Sequence, residues 1–133
     1  MIKETIKYLD YDGNEREETF YFNLSETELT QMQLSKEGTM TEYLQRIIEA
    51  QDVPELASVF KKIILAAYGE KSLDGKYFRK VVDGHRLAED FEQTEAFNVF
   101  YMKLANDDKA ALDFINALMP KSVSNGTKKI EMK

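Results

Sequence analysis

The stretch "AAYGEKSLDGKYF", residues 66 to 78, brings glycines, lysines and a serine close together, the ingredients of a phosphate-binding loop. Such a loop needs a glycine, four residues and then Gly-Lys-Ser/Thr after a strand, so that successive backbone amides cradle phosphates and the hydroxyl holds magnesium. Here five residues separate Gly69 from Gly75, Lys76 is followed by Tyr77, and a helical pattern precedes. The spacing does not meet the motif, and the role of these residues has to come from the elements around them.

Other reactive side chains are sparse. His85 is the single histidine and there is no cysteine, so no thiolate site, disulfide framework or cysteine nucleophile can form. A histidine base needs an oriented partner, and none is evident in the sequence, so His85 is expected as a surface or packing residue. In "DYDGNEREE", Asp10 and Asp12 alternate like calcium ligands. However, Gly13 falls at the fourth position counted from Asp10, where the calcium loop wants glycine at the sixth, and Tyr21 stands where the closing glutamate belongs. A hairpin turn accounts for these residues. Asp107 and Asp108 are adjacent, so on a helix they diverge and suit its first turn better than a shared substrate. Phe97, Phe100 and Tyr101 recur at helical spacing, which marks core rather than a base-stacking platform. No enzyme signature, metal site or cofactor motif emerges.

The 133 residues, 43% hydrophobic and 32% charged, suit one soluble domain. The net charge of −6 is uneven. Lys121, Lys128, Lys129 and Lys133 face only Glu131 after residue 120, which leaves −9 on residues 1 to 120. An acidic body disfavours general nucleic-acid binding, which draws its affinity from cations that neutralise phosphates. Residues 1 to 20 lack the basic start and apolar run of a signal peptide, and no apolar run reaches the length of a membrane span. A cytosolic protein that meets no membrane is expected.

The pattern predicts an α+β fold: an N-terminal antiparallel β-hairpin over residues 1–24, then a mostly α-helical part of about five to six helices over residues 25–120. Together they form a single globular domain, with a flexible basic tail over residues 121–133. Ile2, Ile6 and Tyr8 share one side of a first strand, and Phe20, Phe22 and Leu24 one side of a second over residues 18 to 24, with an Asp12-Gly13 turn between. Ser25 and Glu28 form a capping box, stapled by Leu24 and Leu29, for a helix running to about Leu34. Met40, Tyr43, Leu44, Ile47 and Ile48 predict a second helix ending near Asp52. Pro54 opens a third, with Leu56, Val59, Phe60, Ile63, Ile64 and Ala67 on its apolar face and Gly69 as C-terminal cap.

Residues 70 to 84 read as a turn-rich connection, with Asp74-Gly75 and Asp83-Gly84 punctuating Tyr77, Phe78, Val81 and Val82 and a short strand possible over 77 to 82. A short helix over 85 to 91 would present Leu87 and Phe91. Thr94 caps a helix with Phe97, Phe100, Tyr101 and Leu104, and Asn106 or Asp107 caps the last, with Ala111, Phe114, Ile115 and Leu118 ahead of Pro120. The short link between those two predicts an antiparallel pair.

The runs "YFNLSETEL" (21 to 29), "FKKIILAAYGEKSLDGKYF" (60 to 78), "FEQTEAF" (91 to 97) and "DFINALMPK" (113 to 121), in this order, resemble the tail assembly chaperones of tailed phages and prophages of Gram-positive bacteria. The resemblance covers about residues 8 to 121. It implies a non-catalytic protein of the host bacterial cytoplasm that coats the aggregation-prone tape measure protein, keeps it soluble, assists tail-tube assembly and is absent from the finished tail. It implies the tape measure protein, and with it the major tail protein, as partners, together with self-association, and it carries over no catalytic residues. Many such genes also make a longer product by ribosomal frameshifting, with which Lys128-Lys129 is compatible. On this reading Tyr68, Lys71, Asp74, Lys76, Tyr77 and Phe78 form a candidate partner surface, the alternative being that Tyr77 and Phe78 anchor their loop on the core. Two rival functions remain: a virion component such as a tail completion or connector protein, and an acidic regulatory binder of a host protein or nucleic-acid mimic.

Overall fold

The N-terminal strands β1 (Ile2–Leu9) and β2 (Glu15–Phe22) pair antiparallel from Ile2↔Phe22 to Leu9↔Glu15 in a computed structural model that describes residues 1–32, 46, 49–51 and 53–118. The Asp10 carboxylate accepts from the Asp12 and Asn14 amides, both at 2.9 Å, and from Arg16 Nε at 2.7 Å, while Gly13 supplies the left-handed turn at φ +83°. The Arg16 guanidinium, first among several donors, holds the Asp10 carboxyl below the ordinary aspartate range. The residues that resembled calcium ligands are therefore occupied in closing a hairpin. Strand β2 begins three residues earlier than its apolar pattern suggests. The hairpin register extends it into "ERE", whose charges pair on the surface as Lys7–Glu17 and Arg16–Glu18.

Helix α1 (Glu26–Met32) starts with the expected capping box, Glu28 N–H to Ser25 Oγ at 3.1 Å and Ser25 N–H to Glu28 Oε1 at 3.0 Å, above the buried Leu24 and Leu29. The helix expected over residues 40 to 52 lies, apart from residues 46 and 49–51, outside the described residues, as does everything after Leu118, including the expected basic tail. Helix α2 (Val53–Ala67) buries Val59, Phe60, Ile63, Ile64 and Ala67.

The chain then passes directly into β3 (Tyr68–Lys71), which pairs with β2 through Tyr21↔Gly69 and Phe22↔Tyr68, and on to β4 (Phe78–Arg79). The sheet order is β1-β2-β3-β4. A second hairpin, β5 (Val81–Val82) and β6 (His85–Arg86), turns on Asp83 and Gly84, both at positive φ as a two-residue mirror-type turn requires. Helices α3 (Leu87–Glu92), α4 (Glu95–Ala105) and α5 (Asp108–Leu118) complete the described fold. Thr94 caps α4 by accepting from Phe97 N–H at 3.2 Å, and the Asp107 carboxylate accepts from Ala110 N–H at 3.1 Å at the start of α5.

One apolar cluster joins strands and helices. Phe22 lies fully buried, stacked on Phe100 at 5.2 Å and edge-on to Phe114 at 5.5 Å, and Phe91 meets Phe97 edge-on at 5.6 Å. Leu118 and Ile115 close the cluster from α5. Among the described residues no helix is long and apolar enough to cross a membrane.

Gly69 corrects the sequence reading. It is not a C-terminal cap but a buried strand residue, and a Cβ there would stand 2.5 Å from Cε2 of Phe78 and 2.7 Å from the carbonyl oxygen of Arg79. The glycine lets β4 and the Phe78 ring close over β3. Gly69→Ala should therefore destabilise the fold by about 1–3 kcal/mol, the usual cost of overpacking. Phe78→Leu should restore only part of that loss in a urea melt, because the Arg79 carbonyl still obstructs.

Candidate partner surface

The central loop is a self-braced hairpin. Ser72 N–H donates to the Tyr77 carbonyl at 2.9 Å, Gly75 N–H to the Ser72 carbonyl at 3.0 Å, and Tyr77 N–H to Ser72 Oγ at 3.0 Å. The Asp74 carboxylate accepts from Lys76 N–H at 3.0 Å and from the Ser72 hydroxyl at 2.7 Å. The Lys76 amide is the first cause, and the Ser72 hydroxyl the second, of an Asp74 pKa below the ordinary aspartate value. Gly75, at φ +77°, completes the turn. These bonds lie within the loop itself, so its shape is set before any partner arrives.

The six expected surface residues divide between two roles. Lys71, Asp74, Lys76 and Tyr77 stand exposed on this one hairpin, with Lys76 and Arg79 lying 5.4 and 4.7 Å from the Tyr77 ring centre. Tyr68 points the other way, stacked on Phe91 at 4.2 Å between centroids, and Phe78 is half-buried against Gly69. Tyr68 and Phe78 thus brace the hairpin that the other four crown. The sequence reading missed Leu73, whose side chain is completely exposed at the tip, although a leucine set inside a Ser-x-Asp-Gly turn was a visible anomaly. The second hairpin adds exposed Val81 and Val82. From Lys71 to Arg86 the chain carries five cations, Lys71, Lys76, Arg79, Lys80 and Arg86, against Asp74 and Asp83, a basic segment in an acidic chain.

Lys80 fixes where both hairpins sit. Its ammonium donates to the carbonyls of Asn23 and Ala66, both at 2.7 Å, and to Glu28 Oε2 at 2.6 Å, which uses all three of its N–H groups. Its own carbonyl accepts from Leu87 N–H at 2.9 Å, and the Phe78 ring lies 5.8 Å from its nitrogen. Burial pulls the Lys80 pKa below the ordinary lysine value, against the opposing pull of Glu28. Glu28 meanwhile keeps its other oxygen on the capping box of α1, so one carboxylate serves helix start and hairpin anchor together.

His85 lies exposed, with Nε2 at 2.9 Å from Asp90 Oδ1 and Nδ1 at 3.7 Å from Glu89 Oε2. The hydrogen bond to Asp90 raises its pKa, so this surface contact is complete below pH 6.5 and fades as pH climbs through the raised value. Sequence alone did not reveal that partner, which comes from the first turns of α3. No group of three or more acidic or histidine side chains among the described residues is placed to hold a metal ion.

The described residues combine an α+β fold with a braced hairpin that displays basic and apolar side chains on one surface. The sequence matches the family model of the phage tail assembly chaperones over residues 1–132, and the chain belongs to that family. No curated protein and no solved structure matches it at a significant level.

Two consequences can be measured. Lys80→Met leaves two carbonyls and the Glu28 carboxylate without their donor. It should cost about 2–3 kcal/mol in urea unfolding, below the 3–5 usual for a fully buried pair because Glu28 stays 32% exposed. Tyr68, with its phenol pushed up to about 12 chiefly by burial, keeps its proton in the folded state while the unfolded chain loses it near pH 10. Stability is unaffected below pH 10 and falls as pH rises from 10 toward 12. Tyr68→Phe keeps the stack on Phe91, so its melting temperature should fall less than that of the wild type across this window.

Proposed function

We propose that the protein is a non-catalytic chaperone of the host bacterial cytoplasm that binds the tape measure protein, keeps it soluble and assists tail-tube assembly around it. The observation that carries this reading is the self-braced β3–β4 hairpin, which displays Leu73 and Tyr77 amid Lys71, Lys76 and Arg79. A long, aggregation-prone partner exposes apolar positions, and a pre-shaped apolar knob can cover one with little ordering cost. The surrounding cations add long-range attraction for acidic stretches of that partner and speed encounter at low salt. Membership of the tail assembly chaperone family supports the same reading. The major tail protein and further copies of this chain are the other partners it implies.

Co-expression with the tape measure protein of the same phage tests this directly. The partner should move into the soluble fraction and co-purify. Leu73→Asp combined with Tyr77→Ala should weaken capture about tenfold or more, as for a central apolar anchor, with an unchanged melting temperature. Phe78→Ala, by contrast, should lower the melting temperature because that ring packs on Gly69. A partner that stays insoluble would contradict the chaperone reading. Capture indifferent to Leu73 and Tyr77 would remove the hairpin as its surface.

A further inference from the structure

The open side of β1 is a second, separate feature. Asn23 N–H donates to the Ala67 carbonyl at 2.8 Å in register with Tyr21↔Gly69, so alternate residues Tyr21 and Asn23 address β3. Phe22, Phe20, Glu18 and Arg16 must then address β1, through Ile2, Glu4, Ile6 and Tyr8. The hairpin end agrees, because Asp10 N–H bonds to the Asn14 carbonyl in the same even-numbered series. The N–H and C=O groups of Lys3, Thr5, Lys7 and Leu9 therefore point away from β2. Among the described residues no backbone bond satisfies them, and the sheet order leaves β1 at the edge.

Side chains beside this edge differ by face. An open cleft of about 430 Å³ lies between the β1 edge and α4, lined by Glu4, Ile6, Val99, Phe100 and Lys103 and, where it reaches round the edge, by Thr5, Lys7 and Glu17. Val99 is 41% exposed there and Met102, farther along α4, 50%. On the opposite face Lys3, Thr5 and Lys7 are exposed, and Thr5 bonds Thr19 across the hairpin.

We propose that the edge of β1, unpaired among the described residues, binds an extended segment of another protein whose residues alternate between apolar and acidic. Main-chain bonds to Lys3, Thr5 and Lys7 supply the affinity. Its apolar side chains enter the cleft over Ile6 and Val99, and its carboxylates lie beside Lys3 and beside Lys7, where they share the ammonium that Glu17 meets at 3.6 Å; opposite charges on neighbouring strands attract. The same lysines argue against a second copy of this chain as occupant. Antiparallel self-pairing centred on Thr5 sets Lys3 opposite Lys7 twice, a like-charge arrangement that edge lysines serve to prevent. This edge is distinct from the β3–β4 hairpin and does not depend on which protein that hairpin captures.

The test uses an end-blocked peptide of alternating glutamate and valine, a matching lysine and valine peptide, and amide exchange followed residue by residue. The glutamate peptide should bind and slow exchange at Lys3, Thr5, Lys7 and Leu9. Thr5→Pro removes one outward N–H at an edge position that tolerates proline and should weaken binding about tenfold or more, whereas Thr5→Val, which keeps the N–H, should not. Lys3→Glu with Lys7→Glu leaves the backbone intact, decides the matter if the proline variant fails to fold, and should reverse the preference between the peptides. No binding of the glutamate peptide, protection elsewhere, or equal binding of both peptides would overturn the proposal. A dimer that Thr5→Pro dissociates would overturn it in favour of self-pairing.

Discussion

The arrangement of the molecule depends on one part-buried ammonium. Lys80 draws together the end of β2 through Asn23, the start of α1 through Glu28 and the end of α2 through Ala66, while its main chain receives the first amide of α3. Burying a charge is costly unless every proton finds an acceptor, and here each one does. The apolar core is the larger energy. Phe22, Phe91, Phe97, Phe100 and Phe114 each remove on the order of 150–250 Å² from water, worth several kcal/mol apiece at about 25 cal/mol per Å². The core thus makes the chain fold, and Lys80 decides where the two hairpins stand once it has folded.

That division suits a protein whose work is done by its surface. The aromatic cluster is shared by both ends of the described chain, so the body is held by contacts remote in sequence. The hairpins, in contrast, are braced locally, by Ser72 and Asp74 in one case and by the positive φ angles of Asp83 and Gly84 in the other. Local bracing lets a large apolar side chain such as Leu73 stay in solvent without the loop collapsing onto the core. A flexible loop would have to be ordered at each encounter, and that entropy would subtract from binding.

Features set by neighbouring residues were legible in the sequence. The Ser25–Glu28 box, the Thr94 cap and all three Asp-Gly turns follow from chemistry within a few positions, and each forms in the structure. Features set by distant residues were not. Gly69 looked like a helix cap because the ring that demands a glycine there arrives from β4. Nothing in its neighbourhood singles out Lys80, since its acceptor on Asn23 lies 57 positions away. The candidate surface shows the same division. The exposed positions Lys71, Asp74, Lys76 and Tyr77 follow from turn chemistry, whereas the inward turn of Tyr68 depends on Phe91, which no local pattern ties to it.

A chaperone acts during assembly and then leaves, whereas a tail component stays. The decisive measurement is quantitative mass spectrometry of this chain in assembling cells and in purified finished particles from the same culture. A tail assembly chaperone should be abundant in the cells alongside unassembled tape measure protein and fall well below one copy per particle in the finished tails. A fixed, whole-number stoichiometry in purified particles would contradict that role and make the protein a structural part of the tail.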